Sequence, residues 1–99
     1  MEVELLFWEG CPSHPAALEQ LRAILGDDVP IAVREIVSEV DAVAEAFPGS
    51  PTIRVDGEDL FPIDDPPGLN CRVYRLADGR YSPTPDPNEL RERLRSRNG

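Results

Sequence analysis

WEGCPSHP, residues 8–15, follows a short apolar run and precedes a helix-like pattern. It holds one of the two cysteines, Cys11, and the only histidine, His14. In a C-x-x-C redox pair the second thiol stands three residues after the first; here that position is His14. The stretch has three readings: a redox site that has lost its partner, a site whose partner lies elsewhere in the chain, or a structural turn.

The flanking sequence sets the frame. VELLFW (3–8) is β-prone and mostly apolar, fit for a central strand buried on both faces. Over 15–25 the pattern is helical: Leu18, Leu21 and Leu25 share a face, with Ala17 and Ile24 beside it, and Gly26 stops the helix. VPIAVREIV (29–37) is a second strand. Ser38 is an N-cap with Asp41 three residues on, and Val40, Val43, Ala44 and Phe47 follow i, i+3, i+4, i+7 as an expected buried face. PG at 48–49 closes that helix.

TIRV (52–55) alternates and runs into Asp56-Gly57 and then EDLF, the signature of a two-residue hairpin. Residues 62–70, PIDDPPGLN, form a loop with three prolines and a glycine. CRVYRL (71–76) reads as a strand, and Asp78-Gly79 allows a second hairpin. In DPNE (86–89), Asp86 is the N-cap, Pro87 sits at N1 and Glu89 at N3, and Leu90 and Leu94 dock the last helix. The order defines one α/β domain over 1–99, a mixed sheet with helices on both faces, parallel in its first half and antiparallel in its second.

Composition narrows the function. A net charge of −9 argues against nucleic acid and against an anionic membrane surface, since both need clustered cations. All ten basic residues are arginine; Arg91, Arg93, Arg95 and Arg97 suit the C-terminal end of a helix. MEVELLFW has no basic leader region and too short an apolar run for a signal peptide or membrane span, so a cytoplasmic location is expected. Thiols stay mostly reduced there, and two cysteines read as catalytic, sensing or metal-binding before they read as a staple. Neither G-x-G-x-x-G nor a phosphate loop occurs, and no cofactor is expected.

This element order, with GCPSH at the end of the first strand, GSPT (49–52) before the third and a D-G hairpin after it, resembles the thioredoxin-like superfamily. The run C-P-x-x, then G-S-P-T, then C-R-x-Y resembles small bacterial members and covers essentially the whole chain. The resemblance implies a thioredoxin-like fold, β-α-β-α-β-β-α with an extra C-terminal hairpin before the last helix. It implies that Cys11 is the nucleophilic thiol, that the Ser50–Pro51 bond is cis, and that Pro51 packs against the cysteine. It also implies that the Ser50 backbone pairs with a bound peptide or thiol, and that Pro12 and Ser13 complete the substrate-facing loop. Two features depart from the pattern: the resolving cysteine is absent, and Pro15 disfavours helical geometry at His14. The helix is then expected to begin at Pro15, with Cys11 in the loop before it, where the helix dipole helps a thiolate less.

A thiol of ordinary pKa is only about 3% ionised at pH 7, so an active Cys11 calls for a tuner. His14 either hydrogen-bonds to the sulfur, titrates or ligates, or else is an exposed turn histidine. Glu9 either pairs with His14 or is a solvated carboxylate; Trp8 packs in or near the core. Chain direction brings the proline-rich loop, and Cys71 after it, back to the end of the sheet that carries Cys11. Cys71 is then either the missing resolving thiol or a small buried residue opening a strand, with Val73 also facing inward.

The leading expectation is a thiol–disulfide redox protein, with Cys11, His14 and Cys71 as its working residues, acting on a thiol or disulfide of a protein or small molecule. The alternatives are a soft-metal binding or organomercurial-detoxification-associated protein, since two thiolates and an imidazole suit thiophilic ions, and a non-catalytic interaction module that keeps the fold alone.

Overall fold

A computed structural model describes residues 1–98. Strand β1 (Val3–Phe7) pairs in parallel with β2 (Ile31–Glu35) and antiparallel with β3 (Thr52–Val55). A two-residue strand β4 (Glu58–Asp59) extends the sheet, giving the order β2-β1-β3-β4. The helices are α1 (His14–Leu25), α2 (Glu39–Ala44) and α3 (Pro87–Asn98). The chain is therefore mixed α/β with a mixed sheet, as the sequence order requires.

The period of two along β1 divides the core. Val3 and Leu5 stand opposite Val55 and Ile53 and pack with Ala17 and Leu21 of α1 and Leu90 and Leu94 of α3. Leu6 points to the other face, where it meets Ile36, Ala42 of α2 and Phe47. Each large side chain buried in this way contributes about 1.5–3 kcal/mol. The turn after β3 places Asp56 at φ 53° and Gly57 at φ 83°, the left-handed pair of a type I′ hairpin. Asp86 caps α3 as read: its Oδ1 accepts from the amides of Asn88 (2.9 Å) and Glu89 (3.2 Å).

Two expectations are corrected. Ser38 does cap α2, accepting from the Asp41 amide at 3.1 Å, but the helix spans only six residues and Ala46 turns left-handed at φ 51°. A face spaced i to i+7 needs two full turns. Phe47 therefore reaches the core from beyond the helix, Ala42 is the helical residue buried with it, and Val40 and Val43 are 78% and 62% exposed.

Residues 71–76 do not form one strand. Only Tyr74–Arg75 (β5) is regular, paired with Tyr81–Ser82 (β6) in a separate two-stranded sheet. Cys71 instead makes a single parallel bridge to Ser50. The alternation also has the opposite phase to the one that buries Cys71 and Val73: Arg72 and Tyr74 turn inward, and Val73 is 59% exposed.

Candidate functional site

The site lies at the C-terminal end of β1. There the chain turns tightly, with the Cys11 amide donating to Trp8 O at 3.0 Å. The Trp8 ring lies over Gly10, and a Cβ there would stand 2.5 Å from the ring, so a larger residue would have to displace it. Ser13 then caps α1 without a side-chain hydrogen bond, and the helix begins at His14 with Pro15 in its first turn. Cys11 thus precedes the helix, as the proline implied.

Cys11 is bonded to Cys71, sixty residues away in sequence, with Cα atoms 5.6 Å apart, inside the range a disulfide spans. The cysteine bonded to Cys11 directly follows the proline-rich loop of residues 62–70.

Ser50 ties the two cysteine segments together. Its Oγ accepts from the Trp8 amide at 3.0 Å, on the Cys11 side. Its amide donates to Asn70 O at 2.7 Å and its carbonyl accepts from the Arg72 amide at 3.0 Å, bracketing Cys71. The backbone groups that the resemblance assigns to a bound peptide are occupied by the chain's own residues 70–72. Gly49 permits that approach: its φ is 146°, and a Cβ there would stand 3.0 Å from Arg72 Cβ and 3.2 Å from Arg72 N. The Ser50–Pro51 bond is cis, and both residues are fully buried.

Further contacts pin the Cys71 segment. The Gly68 amide donates to Phe47 O at 3.0 Å, and the Leu69 amide to Glu39 Oε1 at 3.2 Å. The buried Arg72 guanidinium donates to Asp59 Oδ2 (3.0 Å), Phe61 O (2.7 Å) and Thr52 Oγ1 (3.3 Å), and it lies over the Tyr74 ring. The Tyr74 hydroxyl donates to Pro51 O, and burial pushes its phenol pKa well up, so it stays a donor.

His14 stacks on Phe7 with ring centroids 3.8 Å apart, and its Nδ1 is buried without a hydrogen-bond partner. No hydrogen bond joins it to Cys11 and no ion pair joins it to Glu9 among the described residues. Pro12 is exposed and Ser13 half-buried. The two cysteines differ sharply: Cys11 is 2% exposed, whereas Cys71 is exposed.

Sequence reasoning missed Arg72, Asp59 and Tyr74 as the anchors of this segment. The one signal was an arginine and a tyrosine in alternation after Cys71.

Among the described residues no group of three or more His, Cys, Asp or Glu side chains is placed to hold a metal ion, and no helix is long and apolar enough to cross a membrane. A cleft of about 380 Å³ opens between residues 61–63, 72–76 and the start of α3 and is lined by neither cysteine. No family model, curated protein or solved structure matches the chain.

Proposed function

We propose that the chain is a thiol–disulfide redox protein of thioredoxin-like type, working through the Cys11–Cys71 pair. The observation that carries this reading is the disulfide itself, set at the end of β1 beside the cis Ser50–Pro51 bond and exposed on its Cys71 side. A buried staple between two core elements would have no exposed member. In the oxidised form the pair takes two electrons from two external thiols: the protein disulfide opens to a dithiol and the external sulfurs join as a disulfide. The pinned flanks of Cys71 keep it near Cys11 after reduction, so the reverse step is intramolecular and needs no second cysteine in the C-x-x-C position.

The test is a redox titration of the native protein in glutathione buffers, with acid quenching and counting of alkylated thiols. The expected result is a reversible change between no free thiol and two under native conditions. A disulfide that opens only in denaturant would reduce the pair to a structural cross-link and overturn the reading.

A further inference from the structure

We infer that Cys71, not Cys11, is the sulfur at which an external thiolate enters; the inference rests on the redox reading above and assigns the direction of attack within it. A thiolate displaces a disulfide sulfur in line, approaching the attacked sulfur from the side opposite the one that leaves. Cys11, in the turn of residues 8–11 at the end of β1, is only 2% exposed, so its sulfur offers little surface to a thiolate from any side. Cys71 is an exposed residue between two anchored neighbours, which makes it the accessible member of the pair.

The backbone agrees with this direction. In the parallel bridge, Ser50 bonds to Asn70 O and Arg72 N and leaves the N–H and C=O of Cys71 unused. Among the described residues neither group enters a hydrogen bond, and Val73, next but one, is 59% exposed. The outer edge of this segment is thus open to a thiol, whether free or carried on an extended peptide that would use those two backbone groups.

The step balances as follows. The external sulfur forms a bond to Cys71 Sγ while the Cys11–Cys71 bond breaks. Cys11 Sγ leaves with the electron pair as a thiolate and takes a proton from water. A second external thiolate then attacks the external sulfur of the mixed disulfide, releasing Cys71 as a thiolate and an external disulfide. In reverse, Cys71 meets the external disulfide first and Cys11 resolves it. This exchanges the roles that the position of Cys11 after β1 leads one to expect, and it places the buried thiol where only its own chain reaches it.

The test uses oxidised wild-type protein and two uncharged probes in parallel, β-mercaptoethanol and a cysteine-containing hexapeptide. Exchange is quenched in acid at successive times, free thiols are capped with N-ethylmaleimide, and adducts are mapped by mass spectrometry and extrapolated to zero time. The assignment expects at least about tenfold more adduct on Cys71 than on Cys11, with maleimide on Cys11. The faster probe distinguishes a peptide from a small-molecule source. Adducts mainly on Cys11, or divided evenly, overturn the assignment and leave the redox reading standing. A native disulfide that exchanges with neither probe overturns the redox reading and the assignment with it.

Discussion

Asp59 holds Arg72 by a 3.0 Å ion pair one residue away from the disulfide, with the arginine side chain 2% and the carboxylate 19% exposed. The guanidinium also satisfies Phe61 O and Thr52 Oγ1, so the pair fixes where the backbone of residue 71 runs. Replacing Asp59 by Asn leaves a buried cation without its counter-charge, which costs about 3 kcal/mol. Urea denaturation of the oxidised protein measures that loss. In the reduced protein these contacts help to hold Cys71 near Cys11, so the same variant is expected to favour the dithiol, raising the reduction potential by ~30 mV for each 1.4 kcal/mol of lost placement. Unchanged stability in both forms would mean that Arg72 is not the anchor.

Gly49 is where residues 70–72 come closest to the loop before β3. A side chain there meets both a left-handed φ and the backbone of Arg72 at 3.2 Å. Gly49→Ala is expected to destabilise the protein by about 1–3 kcal/mol. It is also expected to loosen the Ser50 bridge, read as faster amide hydrogen exchange at Ser50 and Arg72. Wild-type exchange at both amides would show that the segment does not need this close approach.

The disulfide closes a loop of sixty residues. In the chain-entropy account, such a cross-link stabilises the fold by about 4 kcal/mol. Denaturation of wild type with and without reductant, beside Cys71→Ser, measures this directly. The reduced protein and the variant are expected to agree with each other and to fall below the oxidised protein by a similar amount. A difference under about 1 kcal/mol would show that residues 70–72 come loose in the reduced protein, so that the native state regains much of the freedom the cross-link takes from the unfolded one.

At the start of α3, the Asp86 carboxylate accepts from the Ala77 amide first, and from Glu89 and Asn88, and these bonds hold its pKa below the ordinary carboxylate value. A depressed folded-state pKa contributes stability that is complete above the unfolded value of about 3.9 and is lost as pH falls through the folded one. Asp86→Asn keeps a capping oxygen but removes the titration. Denaturation series between about pH 2.5 and 5 are expected to show a shallower acid limb for the variant. Superimposable limbs would exclude Asp86 as a contributor.

The first strands and helix, the two-residue turn at Asp56-Gly57 and the cap at Asp86 were legible because each is written in a few adjacent residues. Strand direction put Cys11 and Cys71 at the same end of the sheet, but left open whether they bond or Cys71 is a small buried residue opening a strand. The inward face of residues 71–74 was not legible. Hydropathy favours burying Cys71 and Val73, and only the tertiary partners Asp59, Phe61 and Pro51 select Arg72 and Tyr74 instead. The same limit hid α2: Val40, Val43, Ala44 and Phe47 make a helical face on paper, and the bend at Ala46 takes Phe47 out of it. His14 was placed next to Cys11 by spacing, yet its ring went to Phe7, a contact between β1 and α1 that spacing does not encode.

The acidic residues on the two cysteine segments make the last prediction. Glu9 in the turn before Cys11 and Asp64 and Asp65 in the loop before Cys71 are exposed, and the Glu39 carboxylate accepts from the Leu69 amide two residues from Cys71. The adjacent cation, Arg72, is buried and paired with Asp59, so it offsets little of this at the surface. In a chain of net charge −9, an anionic thiolate approaches Cys71 against the field and one carrying an ammonium group approaches with it. A unit charge about 8 Å from another is worth ~0.5 kcal/mol in water, so two or three such carboxylates make a several-fold rate difference at low salt. Stopped-flow exchange with cysteamine and with 3-mercaptopropionate, each corrected to its thiolate concentration, measures it. Cysteamine is expected to react faster by about fivefold at 10 mM salt, with the ratio falling towards one near 1 M as the screening length drops to ~3 Å. A ratio that does not change with salt would mean that these carboxylates do not face the reacting sulfur.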